Sequence, residues 1–185
     1  MTLNVPGRHN IANALAAIAF ATEAGIDTDT IIRGLQAFGG TARRFEYKGK
    51  LGGITIIDDY AHHPTEIAAT LTAARNYPHG RIICVFQPHT YTRTKAFWNQ
   101  FSDALTLADV VVLADVYAAR ETDTLGIHCE DLADDIRRKG TKSYYFPSFD
   151  AIENFLLETC TDNDLILTMG AGDIYQVGEH LLGRR

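Results

Sequence analysis

The chain is poor in residues that carry several familiar chemistries. Its 185 residues include three cysteines, two methionines, one tryptophan and five prolines. Cys84, Cys129 and Cys160 are odd in number and far apart. That spacing suits neither a disulfide framework nor a metal knuckle. Cys84 sits in Ile82-Ile83-Cys84-Val85-Phe86 and reads as a small core hydrophobe. No apolar stretch approaches the ~20 residues needed to cross a bilayer, so no membrane insertion is expected. The opening Met1-Thr2-Leu3-Asn4-Val5-Pro6 lacks the basic start and apolar centre of a signal peptide, which makes the cytoplasm the expected compartment. There is no Gly-x-x-x-x-Gly-Lys-Ser/Thr phosphate loop, no Gly-x-Ser-x-Gly elbow and no Cys-His signature. This chain alone therefore has no obvious means of holding a triphosphate. Basic residues are outnumbered, 17 against 23 acids, for a net charge of -6. A nucleic-acid backbone is a poor partner for such a balance, whereas a nucleotide ligand needs only a local cluster of donors.

What is present begins with four apolar runs, at 54–57, 81–86, 110–114 and 164–169. They are dense in Ile, Val and Leu and do not alternate, as parallel strands covered on both faces require. A weaker strand is expected at 143–146, and the alternating stretch 44–50 reads as an edge strand. Helical patterns fall between them at 64–76, 95–105, 130–139, 150–158 and 173–182. Alternation of strand and helix from residue 52 onward predicts an α/β fold with a doubly wound, mostly parallel sheet and right-handed crossovers. The first forty residues differ. Helices are expected at 10–23 and 28–38, the second capped by Thr28 and stopped by Gly39-Gly40. Two helices cannot enclose a core, so residues 1–40 read as the end of a preceding domain or a docked pair, and 41–185 as the main domain. Gly39-Gly40-Thr41-Ala42 is the expected hinge.

The polar clusters follow the strands. Asp58-Asp59-Tyr60-Ala61-His62-His63-Pro64 comes after the first core strand. Gln87 to Thr94, Asp115 to Glu121 and Gly170-Ala171-Gly172-Asp173 follow the next three. In a parallel sheet all four loops share the carboxyl edge, where open α/β folds bind ligands. Each cluster also has a plainer reading: an Asp-rich turn with a helix cap, a surface turn, an exposed Arg120-Glu121 pair, a tight glycine turn. Arg93 stands near a helix start, where a cation is unfavourable unless it holds an anion through its fork. His62-His63 suggests a metal at first sight, but adjacent histidines point apart and no third ligand is evident.

Together the motifs resemble the Mur ligase family, ATP-dependent amide-forming enzymes of peptidoglycan precursor synthesis. The residues that carry the likeness are Pro6 to Ala14, Arg43-Arg44-Phe45-Glu46, Asp58 to Glu66, Phe86 to Thr94 and Thr168 to Ile174. They run in family order over nearly the whole chain, and the Asp58 to Glu66 and Phe86 to Thr94 segments match the alanine-adding branch and its near relatives best. The resemblance implies a Rossmann-like C-terminal ligase domain at 41–185, preceded at 1–40 by the last helices of a central ATPase domain. It also implies partners: ATP, UDP-N-acetylmuramate, L-alanine, and the N-terminal and central domains of the same enzyme. Magnesium in the family is held mainly by the central domain, so no metal ligand is expected here. By the same likeness His9, Asn10 and Asn13 would face adenine, Arg44 would reach ATP phosphate, and Asp59 would hold the ribose or order the ATP side. Tyr60, His62, His89 and Arg93 would form the alanine pocket, with His62, His89 and Arg93 closest to the chemistry. Thr90 stands where many relatives have a second arginine. Two other readings stay open: a recycling ligase that attaches a tripeptide to the same sugar nucleotide, and a binding module without catalysis.

Overall fold

The computed structural model describes residues 2–5 and 7–184, apart from the side chains of Arg8 and His9. The expected helix pair is there as α1 (Arg8–Glu23) and α2 (Thr28–Ala37). Asp27 rather than Thr28 caps α2, its carboxylate accepting from the Thr30 amide. The main domain follows as β1 (Glu46–Leu51), β2 (Ile54–Asp59), α3 (Pro64–Ala74), β3 (Ile82–Phe86), α4 (Tyr91–Ala96) and α5 (Trp98–Leu105). It is completed by β4 (Val110–Leu113), α6 (Cys129–Arg138), β5 (Lys142–Tyr145), α7 (Phe149–Thr159), β6 (Leu165–Met169) and α8 (Tyr175–Leu181). The helix expected at 95–105 starts earlier and breaks at Phe97 into α4 and α5.

The six strands form one sheet in the order β1-β2-β6-β3-β4-β5. β1 is the antiparallel edge, and every other neighbouring pair is parallel. Side chains alternate between two cores, so both faces are covered. On one face Ile57, Phe86, Leu113 and Met169 meet α3, α5 and α6 through Leu71, Phe101 and Leu132. On the other, Ile56, Val85, Val112 and Ile166 meet α7 and α8 through Ile152, Leu156 and Val177. Full burial of each such side chain contributes roughly 1.5–3 kcal/mol. The α/β reading and the doubly wound sheet hold.

The helix pair behaves differently. Among the described residues of α1 Ala14 alone is buried, while Ile11, Leu15 and Phe20 are exposed, Phe20 to 78%. α2 buries no residue fully. These helices do not share the sheet's core, and the pocket below lies between them and α3.

Candidate functional site

The parallel strands deliver all four polar loops to one edge. At the end of β2, Asp58 is fully buried. Its carboxylate accepts from Thr168 Oγ1 at 2.7 Å and pairs with Arg43 Nε at 3.0 Å. Burial raises its pKa, and the Thr168 and Arg43 contacts only partly offset that. Arg43 also donates to the carbonyls of Gly170, at 2.7 Å, and Gly172, at 3.0 Å. Its guanidinium lies over the rings of Tyr60 and Tyr175. One side chain thus ties the ends of β2 and β6 together and fixes Tyr60. The sequence places Arg43 in a family motif but gives it no role, because its partners Asp58, Gly170 and Gly172 are remote in the chain.

Asp59 accepts from the Phe45 amide at 2.8 Å and the Ala61 amide at 2.7 Å. Burial again raises its pKa against those bonds. Its carboxylate is engaged with the protein's own backbone, which suits an ordering role better than a direct hold on a ribose. The next residues split as expected. His63 caps α3 and packs its ring on Phe97. His62 turns the other way, with Nδ1 3.0 Å from the Tyr60 carbonyl oxygen. That acceptor places the proton on Nδ1 and leaves Nε2 for a ligand. Glu66 receives the amides of both histidines. Burial would raise Glu66, but those amides and the His62 ring outweigh it, and its pKa falls.

After β3, Thr90 takes a left-handed backbone, φ 67°, unfavourable for a β-branched residue. Such strain is common at ligand sites. Glu121 organises the next turn by accepting from the Tyr91 and Thr92 amides and the Thr92 hydroxyl. It is therefore not simply half of an exposed pair with Arg120. The rings of Tyr60, His62, His89 and Tyr117 form a row with centroid separations of 5.5, 6.1 and 5.5 Å. His89 Nδ1 and Arg93 Nη1 are buried without a hydrogen-bond partner from another described residue. Burial, the Arg93 charge and His62 lower the His89 pKa, which favours the neutral imidazole.

The glycine turn is structural and tight. A Cβ on Gly170 would lie 2.7 Å from the Gln87 carbonyl oxygen, and one on Gly172 would lie 2.3 Å from Gln87 Oε1. Gln87 Oε1 accepts from the Asp173 amide, which closes the turn onto β3.

A hollow of about 820 Å3 lies between the helix pair and α3. Asn10, Asn13, Arg44 and Asp59 line it, with Phe38 and Phe45 among its apolar walls. Four of the five residues expected on the nucleotide side thus share one pocket. The fifth, His9, lies outside the described side chains. Apolar walls with two amides and one guanidinium fit an adenine nucleotide in size and chemistry. Among the described residues no three His, Cys, Asp or Glu side chains form a metal-binding group, so these residues do not fit a self-contained magnesium site.

The profile of the Mur ligase, glutamate ligase domain, matches residues 43–172. The chain belongs to the Mur ligase family. A UDP-N-acetylmuramate–L-alanine ligase of Agathobacter rectalis is 61% identical over 180 residues, covering 97% of this chain and 39% of that protein. The crystal structure of a UDP-N-acetylmuramate–alanine ligase from Thermotoga maritima superposes with a TM-score of 0.82 at 32% identity, over 98% of this chain and 38% of its own. A murein peptide ligase from Psychrobacter arcticus is more distant, with a TM-score of 0.72 at 26% identity, over 99% of this chain and 38% of its own. This Mur ligase chain therefore spans about two fifths of the length of the relatives it matches. The family match starts at Arg43, next to the expected hinge at 39–42, and stops at Gly172.

Proposed function

We propose that this chain is the C-terminal part of an ATP-dependent ligase that joins L-alanine to UDP-N-acetylmuramate in the cytoplasm. The observation that carries the reading is the row Tyr60, His62, His89 at the carboxyl edge, with Arg93 Nη1 and His89 Nδ1 buried and unpartnered by other described residues. Buried donors without partners are costly. Here they stand where an amino-acid carboxylate would satisfy them. The 61% identity to an alanine ligase, against 26% to a murein peptide ligase, favours alanine over a tripeptide.

In this reading ATP supplies the phosphoryl group that activates the muramoyl carboxylate as an acyl phosphate. Asn10 and Asn13 offer amide donors and acceptors to the adenine edge, the Phe38 and Phe45 walls exclude water, and Arg44 reaches toward phosphate. His9 is assigned to the same nucleotide by family likeness. Asp59 holds the Phe45 and Ala61 amides, so the wall of the nucleotide pocket and the Tyr60 turn move together. Arg93 takes the alanine carboxylate through its fork. The ammonium of alanine must lose a proton before its nitrogen can attack. His89, kept neutral, accepts that proton at a ring nitrogen. The amine then forms the C–N bond at the acyl carbon, and phosphate leaves with the former C–O bonding pair and takes up the second proton that the nitrogen sheds as the amide forms. His62 presents Nε2, and Tyr60 walls the pocket beside it. Positioning and charge placement supply most of the rate in such a reaction. Magnesium and the remaining substrate contacts belong to the rest of the enzyme, the N-terminal and central domains of such relatives.

The test is a kinetic comparison in the full-length ligase. Arg93→Ala should raise the alanine KM with little change in the ATP KM. An unchanged alanine KM removes Arg93 from the pocket, and faster turnover of a tripeptide than of alanine moves the reading to the recycling ligase.

A further inference from the structure

His89 is held chiefly by a residue that nothing above assigns. Tyr117 lies in the loop after β4, joined to the loop after β3 beyond the edge of the sheet. Its amide donates to the Pro88 carbonyl at 2.8 Å, and its carbonyl accepts from the Thr90 amide at 2.9 Å. The two bonds form an isolated parallel bridge between His89 and Tyr117. The side chains repeat the pairing: the two rings stack at 5.5 Å with 23° between their planes. The Tyr117 ring also lies against the glycine turn, since a Cβ on Gly172 would come within 2.7 Å of Tyr117 Cγ. Tyr117 thus lies between His89 and the glycine turn that follows β6, with 38% of its surface open to solvent. No hydrogen bond of its hydroxyl is needed to hold it there, because the backbone bridge and the Gly172 contact fix the ring.

We propose that Tyr117 is the positioning residue for His89, acting as a lid on one imidazole face that fixes the ring's direction and shields it from water. The inference rests on the reading of His89 as the group that takes the amine proton. The charged and titratable groups facing His89 come from each neighbouring element: His62 from the loop after β2, Arg93 from α4 and Glu121 from the loop after β4. Arg93 and His62 disfavour a charged imidazole, and Glu121 favours it. The shielding that Tyr117 provides adds to the first pair, because desolvation penalises the charged ring. Removing the aromatic ring hydrates His89 and makes it more basic. A base that must be neutral then works only at higher pH. Stacked aromatic pairs stabilise by an amount equivalent to about two- to tenfold in an equilibrium constant, which sets the scale of the kinetic loss.

The experiment has two arms. In this 185-residue chain, the His89 ring is titrated by NMR in the parent protein, Tyr117→Phe and Tyr117→Leu, with Tyr117→Met alongside should the leucine variant not fold. The expected result is an unchanged midpoint in Tyr117→Phe and an upward move in Tyr117→Leu or Tyr117→Met. A midpoint that stays in place in the aliphatic variants, or that moves equally in Tyr117→Phe, overturns the proposal. In the second arm the full-length ligase carries the same substitutions. There the acidic limb of kcat/KM for alanine should move upward in parallel, with a two- to tenfold loss near pH 7. If the NMR midpoint moves and the kinetic limb does not, Tyr117 does position His89, and the role of His89 as the base falls instead.

Discussion

The two edges of the sheet differ in how they treat buried polar groups. At the amino edge the aspartates are matched, although Ser143 Oγ near the start of β5 is buried without a hydrogen-bond partner from another described residue. Asp164, 2% exposed, accepts from Arg81 Nε and Nη2 and from the Thr161 amide. Asp109 accepts from the Ile82 amide, and the Gly80 amide donates to the Asn163 carbonyl. At the carboxyl edge His89 Nδ1, Arg93 Nη1 and Asp173 Oδ1 are buried with no hydrogen-bond partner from another described residue. A strained Thr90 and two left-handed residues, Arg43 and Phe45, lie along the same edge. The amino edge mainly closes the fold, and the carboxyl edge gathers unpartnered donors and positive-φ residues such as Thr90 at the expense of stability. That division is typical of a site grafted on a scaffold.

Substitutions should separate the two edges. The largest effect is expected from Asp164→Ala, which strands Arg81 and the Thr161 amide. Denaturant unfolding should show a loss of about 3 kcal/mol, while ligand affinity at the carboxyl edge stays near the parent value. An equal loss of alanine binding would break the division. Next comes Arg93→Ala in the full-length ligase. Charge-assisted hydrogen bonds of about 1.5–3 kcal/mol correspond to an alanine KM raised about ten- to a hundredfold. Unfolding should barely change, because the lost donor had no partner to strand. Gly172→Ala follows. Its Cβ would press on Gln87 and Tyr117, and overpacking of this kind costs about 1–3 kcal/mol. Here stability and alanine KM should worsen together; a loss of stability alone would detach the glycine turn from the site.

The smallest effect is in the pH dependence, and its sign differs between the edges. Asp164 has a lowered pKa: burial works against ionisation, but Arg81 and the Thr161 amide more than offset it. Its stabilisation is therefore present above the ordinary carboxylate pKa and lost as pH falls through the lowered one. Asp58 has a raised pKa, so its contribution is complete below the ordinary value and declines as pH rises through the raised one. Urea unfolding from pH 3 to 7 should show the gap between parent and Asp164→Asn narrowing toward acid. The gap between parent and Asp58→Asn should widen toward acid. Parallel trends would mean that burial does not dominate at Asp58.

Much of this was legible in the chain. Non-alternating runs such as Ile82 to Phe86 announce strands covered on both faces, and four polar clusters after four such runs announce one shared edge. The family motifs place Tyr60, His62, His89 and Arg93 together, and the structure brings their rings and loops to that edge. Asn10, Asn13, Arg44 and Asp59 likewise share one pocket. Other features depend on partners remote in sequence. Arg43 reads as one more basic residue until Asp58, Gly170 and Gly172 surround it. Glu121 reads as half of a surface pair until it meets the turn at Tyr91. Tyr117 falls in the Asp115 to Glu121 cluster, but nothing in the sequence marks its role, because a ring's role depends on what it stacks against.

The sequence by itself determined the class of fold, the edge where the polar loops gather and the family. Local periodicity, helix-start residues and motif order are written in neighbouring positions and survive without three-dimensional information. Tertiary structure alone decided the strand order β1-β2-β6-β3-β4-β5, the clasp of Arg43 across two strand ends and the stack of Tyr117 on His89. The physical reason is the same in each case. Strands that are apolar on both faces carry no pattern that names their neighbours. A guanidinium or an aromatic ring is equally satisfied by many partners, and only packing picks one.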